Sequence, residues 1–210
     1  MKRTSTKPKT ATRYSETAFG IISRSRLVEL EAEGVAKGLV WIINTFPKRP
    51  AITVAFLLFL HEHCFGFIFP EWAGKLRKVP VQVSEYVPPP PHQLRELLTT
   101  FEQDLAMQLK QAPINKAEQM GEIIRIAAWM QHQIVWIHPF LDYNGRIARL
   151  VTNLLFLEYG LPLVEIPAEK RGNIRRQYVV AMQSGDKGDL RPLEQLLHKA
   201  LKEETKAFGK

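Results

Sequence analysis

The stretch His138-Pro-Phe-Leu-Asp-Tyr-Asn-Gly-Arg-Ile-Ala-Arg149 joins two runs of helical pattern and sets a histidine, a carboxylate and two arginines within twelve residues. Before it, Ile123, Ile124, Ala127, Ala128 and Ile134 recur at helical spacing over about Lys116 to Ile137. After it, Ile147, Leu150, Val151, Leu154 and Leu155 mark a second helix, roughly Gly145 to Tyr159, with Gly160 in a capping position. Asn144 and Gly145 are turn residues, so the peptide N–H groups around Tyr143 to Arg146 are the unpaired donors of a helix start. Those donors, reinforced by the helix dipole, attract an anion.

Arg146 and Arg149 stand three apart on the first turn and present two guanidinium forks on neighbouring positions of one face, which suits a polyphosphate. Asp142 puts a carboxylate just before the amides. A single carboxylate beside phosphates suits magnesium, which keeps several of its waters. His138 is the side chain of the loop that can take a proton near neutral pH, and Phe140 is an apolar pin for the loop. Each piece alone is ordinary; the four in this order describe a phosphate-handling site.

Outward from this segment the chain reads as helices with one extended interruption. Apolar positions from Leu27 to Ile43 predict a helix over about 25–45, ended by Pro47 and Pro50. A second begins near Pro50 with Ile52, Ala55, Phe56, Phe59 and Leu60. Val79, Val81 and Val83 alternate with polar neighbours and predict a short extended flap over about 77–87, with Pro88 to Pro91 as a stiff base. Helices are expected again over about Gln93 to Gln111, Arg171 to Gln183 and Pro192 to Glu204, the last two separated by the turn SGDKGD. Residues 1–18 lack apolar periodicity and are expected to be a disordered basic tail, which leaves one domain over 19–210.

Composition narrows the class. No run approaches the eighteen or so apolar residues needed to cross a bilayer, and the basic N-terminus lacks the apolar region of a secretory signal. With Cys64 the only cysteine, a disulfide framework within the chain is ruled out, and a reducing, cytoplasmic setting is expected. The net charge of +8 raises the question of nucleic acid. Lys2, Arg3, Lys7, Lys9 and Arg13 carry part of that excess in the tail, and the paired arginines of the central segment sit beside a carboxylate, so a basic binding face is the less favoured reading. His61, Glu62, His63 and Cys64 resemble a metal cluster, but on a helix His61 and His63 point to different faces.

The segment resembles the signature of the Fic family: HPF, any residue, Asp or Glu, GNGR, two residues, Arg. Tyr143, in the place of the first glycine, is the one departure. The resemblance extends to Phe65, Gly66 and the Trp72–Arg77 segment upstream and to the Tyr178 region and Gly-Asp turn downstream, covering about Leu27 to Leu197. It implies an all-α, single Fic-type helical domain with a short β-hairpin flap, and transfer of AMP from ATP to a Ser, Thr or Tyr hydroxyl of a target protein.

Carried over residue by residue, the resemblance makes His138 the base and Asp142 the Mg2+ ligand. Asn144, Gly145 and Arg146, with Tyr143 between them and Asp142, would line the phosphate site, and Arg149 would meet the terminal phosphate. Tyr178 would touch the adenine, and the flap would align the target by strand addition. Many Fic proteins carry an inhibitory helix whose glutamate pairs with the last motif arginine, and Glu33, followed by Gly34, is the candidate here. The related Doc kinases change the second glycine to lysine, whereas Gly145 is kept, which favours adenylyl over phosphoryl transfer. Transfer of UMP or phosphocholine stays open, as does a homodimer.

Overall fold

A computed structural model describes residues 4–5, 14–45, 50–113, 115–165 and 172–208. Most of the expected tail, residues 1–3 and 6–13, lies outside the described residues. In chain order the elements are β1 (Thr4–Ser5), β2 (Tyr14–Thr17), β3 (Gly20–Ser23), α1 (Arg24–Asn44), α2 (Val54–Phe65), β4 (Val81–Gln82), α3 (Leu94–Gln111), α4 (Lys116–Ile137), α5 (Asn144–Glu158), α6 (Asn173–Gly185) and α7 (Arg191–Phe208). The expected all-α class is what the structure shows, with strands confined to short ribbons. The chain groups into two compact units, Met1–Glu102 with Ile137–Leu150, and Gln103–Trp136 with Val151–Lys210.

In the first unit, β2 and β3 form an antiparallel hairpin that begins inside the stretch expected as tail and leads directly into α1. Ser23 caps α1 by accepting the Arg26 amide, and Thr53 caps α2 by accepting the Phe56 amide. α1 and α2 pack closely because Gly34 and Gly38 present bare backbone one turn apart. A Cβ on Gly34 would fall on the Cys64 carbonyl oxygen, and one on Gly38 on the Cys64 sulfur. The buried Leu27, Leu30 and Ile42 of α1, with Phe56, Leu57, Leu60 and Phe65 of α2, belong to the core around that seam.

The flap is smaller than a full hairpin. Val83 and Tyr86 exchange both backbone hydrogen bonds around a turn in which Ser84 takes φ 54°, while Val81–Gln82 pairs in parallel with Thr4–Ser5. Val81 is buried, so one side of the flap belongs to the core.

In the second unit α6 packs on α7 across the turn after Gly185. Asp186 donates its amide to the Met182 carbonyl, Gly188 takes φ 87°, and Asp189 caps α7 by accepting the Arg191 amide. Inside, Thr152 donates to the Gln131 side-chain carbonyl and Gln131 donates to the Tyr178 hydroxyl, which links three buried polar groups to one another.

The loop between α4 and α5 is held by two residues from elsewhere in the first unit. Arg77 is buried and gives its Nε to the His138 carbonyl at 2.6 Å and its backbone amide to the Pro139 carbonyl at 2.9 Å. Its guanidinium also reaches the carbonyls of Ile137, Val79 and Pro89, so one cation ties the end of α4 to both ends of the flap. The second is His61 of α2, stacked on Phe140 with centroids 3.9 Å apart. The Gly74 amide donates to its Nδ1, so Nε2 carries the hydrogen and donates to the Asp142 carbonyl at 3.2 Å. Burial pushes the imidazole down to about 4 from its ordinary 6.5, which keeps this tautomer neutral.

Two outcomes are expected. Gly34→Ala will cost on the order of 3 kcal/mol, a fall in Tm of roughly 10 °C, because backbone lies in the way. Gly121→Ala, at an exposed α4 position with nothing nearby, will leave Tm unchanged or raise it slightly. Because the unfolded chain binds a proton at His61 that the folded chain refuses, His61 contributes about 3 kcal/mol at and above pH 6.5 that is lost as pH falls toward 4. Thermal melts across that window will show the loss in the wild type and a flatter profile in His61→Gln.

Candidate active site

The loop begins where α4 is stopped. Pro139 disfavours a helical conformation at the residue before it, and His138 turns out at φ 53°, the left-handed arrangement that commonly ends helices. A side chain pays about 1 kcal/mol for that region, and the Arg77 bond to the His138 carbonyl holds it there. His138 is 6% exposed.

Asn144, buried at the start of α5, closes the loop on itself. Its side-chain carbonyl accepts the Phe140 amide at 2.9 Å and its amide nitrogen donates to the Phe140 carbonyl at 3.0 Å. The Asn144 side chain is therefore spent on the loop, and the group with which Asn144 can line the phosphate site expected of it is its backbone N–H. Arg146 and Ile147 donate to the Tyr143 carbonyl, which makes Asn144 and Gly145 the first amides of α5, ahead of any acceptor within the helix.

Gly145 has ordinary helical backbone and no need of glycine for its own fold. A Cβ there would meet only the Arg149 Nη1, at an ordinary 3.4 Å. That places the Arg149 guanidinium beside the first turn of α5, above bare backbone, as the spacing of the arginines requires. Asp142 is half-buried, and its Oδ1 accepts the Tyr143 amide at 2.7 Å, so the carboxylate is set beside the same helix start. One carboxylate next to amides and arginines fits a magnesium ion that takes its other ligands from waters and phosphate oxygens. Among the described residues no group of three His, Cys, Asp or Glu side chains is set to hold a metal, and in the His61–Cys64 run both ring nitrogens of His61 are engaged by backbone.

Tyr143 differs most from expectation. It takes φ 63°, and its side chain, 8% exposed, lies in an aromatic cluster instead of lining a phosphate pocket. The ring stacks on Phe65 with centroids 4.1 Å apart and planes at 24°, and on Trp72 at 5.8 Å and 23°. Its hydroxyl donates to Glu31 Oε1 at 3.0 Å. Burial first, then the Glu31 and Asp142 carboxylates, hold the phenol well above its ordinary pKa, so it stays a donor.

Glu31 is the residue that sequence reasoning missed. It is 2% exposed on α1, with Arg146 Nη2 on its Oε2 at 2.8 Å and Arg24 Nη1 on its Oε1 at 3.1 Å. Glu33, the expected partner of Arg149, is exposed. Two residues apart on a helix are about 200° around it, so when one faces the core the other faces solvent. The carboxylate of α1 that reaches the segment is thus Glu31, and it meets Arg146. Tyr178, expected at the adenine, is buried in the second unit beside Gln131. His61 and Arg77 also escaped assignment: the first stood in an apparent metal cluster, the second in a segment with no stated role.

Comparison with known proteins agrees with this geometry. The Fic/DOC family matches residues 51–156, half of the chain. Among similar sequences, protein adenylyltransferase Fic of Nematostella vectensis is 31% identical over 84% of this chain, and that of Drosophila grimshawi is also 31% identical over 84%. The chain spans only 39% and 34% of the lengths of these two relatives. Among solved structures, Fic-1 (aa134–508) from C. elegans superposes with a TM-score of 0.67 at 25% identity, covering 85% of this chain and 50% of that one. The N-terminal FIC domain of Bep8 from Bartonella sp. 1-1C gives 0.70 at 17% identity, covering 92% of both. With the signature loop, the helix start behind it and the helical surround all in place, the chain belongs to the Fic/DOC family.

Proposed function

We propose that this chain is a protein adenylyltransferase that moves AMP from ATP to a hydroxyl of a target protein. The observation that carries the reading is the bare start of α5: Gly145 is not required by the fold, yet it leaves open backbone N–H groups beneath the Arg149 guanidinium. Such a cradle suits phosphate oxygens that must approach backbone closely. The resemblance of the chain to enzymes named protein adenylyltransferase supports the choice of reaction.

The roles follow from position. The amides of Asn144 and Gly145 and the Arg146 and Arg149 guanidinium groups would bind the phosphates and neutralise charge that develops on them. Asp142 would hold Mg2+, which when bound would offset the negative charge of the phosphates. The target hydroxyl oxygen forms a bond to the α-phosphorus as the bond from that phosphorus to the oxygen bridging toward the β-phosphate breaks. Pyrophosphate leaves, and His138 takes the hydroxyl proton. The flap, with Val83 and Tyr86 turned back on each other and anchored through Arg77, would align an extended piece of the target by strand addition. A cytoplasmic setting is part of the proposal, supported by the single buried thiol.

Incubation with ATP labelled at the α- or the γ-phosphate, magnesium and a protein lysate tests the reaction. Transfer of the α-label alone is expected, and His138→Ala will lower it by about a hundred- to ten-thousandfold. Transfer of the γ-label would replace the reading with a kinase. Gly145→Ala will keep or slightly raise Tm while lowering α-label transfer at least about tenfold, because the added methyl fits the protein but not a phosphate.

A further inference from the structure

We propose that Tyr143 is a positioning residue that sets the Arg146 guanidinium through the shared Glu31 carboxylate, a side-chain anchor in the place where the family signature has glycine. The inference deepens the nucleotide-binding reading above and rests on it.

Glu31 divides its two oxygens. Oε1 takes the Tyr143 hydroxyl at 3.0 Å and Arg24 Nη1 at 3.1 Å, and Oε2 takes Arg146 Nη2 at 2.8 Å. The plane of the carboxylate, and therefore the direction in which Oε2 faces Arg146, is set from the Oε1 side. On that side Arg24 is a long side chain 61% exposed, whereas the phenol is buried and fixed between Phe65 and Trp72. The rigid donor is the tyrosine. A second hold comes from its ring, which lies under the Arg146 guanidinium with the central carbon 5.1 Å from the centroid. Arg146 is thus gripped by a hydrogen-bonded carboxylate at one end and an aromatic face below, both depending on Tyr143.

The same residue shapes the backbone. Tyr143 precedes the first amides of α5, and the Arg146 and Ile147 amides both end on its carbonyl. A glycine at φ 63° would hold the turn by conformational freedom alone. Tyrosine at that φ is strained, and it stays because its ring and hydroxyl are held at three points. Packing alone would be served equally by phenylalanine. The buried hydroxyl, aimed at a carboxylate already committed to Arg146, is what assigns the function of orientation.

The test uses the whole chain and a non-hydrolysable ATP analogue with magnesium, its affinity measured by titration calorimetry. Variants are Tyr143→Phe, Glu31→Gln, Arg146→Lys and the double variant Tyr143→Phe/Arg146→Lys, with the 15N resonance of the Arg146 guanidinium followed in parallel. Tyr143→Phe and Glu31→Gln are each expected to weaken binding about tenfold and to shift and broaden the Arg146 signal. In the Arg146→Lys background Tyr143→Phe will bring no further loss. Wild-type affinity in Tyr143→Phe, or an equal loss in both backgrounds, overturns the proposal. If one variant is too unstable to purify, the other carries the same comparison. Should α-label transfer fail in the wild type while binding follows this pattern, the reaction assigned above falls and the positioning role stands. A wild type that binds no analogue overturns both.

Discussion

Ending a long helix inside a protein leaves its last carbonyls without helical partners, and here a buried cation answers the final one together with the carbonyl that follows it. Arg77 bonds the carbonyls of Ile137 and His138 as well as those of Val79 and Pro89. A buried carbonyl without a partner costs about 1–3 kcal/mol, so the loop could not keep its left-handed entry at His138 if these groups were left to find water. Burial lowers the basicity of Arg77, but an arginine remains charged through any such shift, and a lysine could not fork across four oxygens. The conformation of the loop therefore rests on a buried residue sixty positions upstream that is committed to backbone carbonyls.

The tyrosine in the glycine position shows how magnitudes decide an apparent mismatch. A left-handed φ at a residue with a Cβ costs about 1–2 kcal/mol. Against this stand aromatic pairs with Phe65 and Trp72, worth roughly 0.5–1.5 kcal/mol each, and a hydrogen bond to a charged carboxylate, worth about 1.5–3 kcal/mol. The side chain outweighs the strain. Glu31 gains in turn: a buried carboxylate is tolerable only with several donors, and Tyr143, Arg146 and Arg24 supply them.

What could be read in the sequence was what is local. Helical periodicity placed α1, α3, α4 and α5 within a residue or two of their ends, and the turn signal at Asn144–Gly145 located the start of α5. The extended flap was legible from its alternation, though only Val81–Gln82 and the Val83–Tyr86 bridge are strand-like. The partners that orient the loop were not legible, because they are remote. Glu31 meets Tyr143 and Arg146 across 112 and 115 residues, and although its spacing from Leu27 and Leu30 sets it on the buried face of α1, apart from Glu29 and Glu33, no local signal names those partners. His61 was visible as a histidine, but its task, stacking on Phe140 and holding the Asp142 carbonyl, depends on a fold that brings residues 81 apart together. Asn144 stood out as a turn residue, yet its side chain closes a ring with Phe140 that only the completed turn reveals.

The seam between α1 and α2 also governs the lone thiol. Cys64 is fully buried, its sulfur faces the gap left by Gly38, and burial pushes its pKa up to about 12. Thiolate, the species that reacts with alkylating agents and oxidants, is scarce at neutral pH, and reagent cannot reach it while the helices are closed. Covalent modification at this position therefore counts openings of the helix pair, giving the protein a native kinetic clock for its own local unfolding that needs no introduced label.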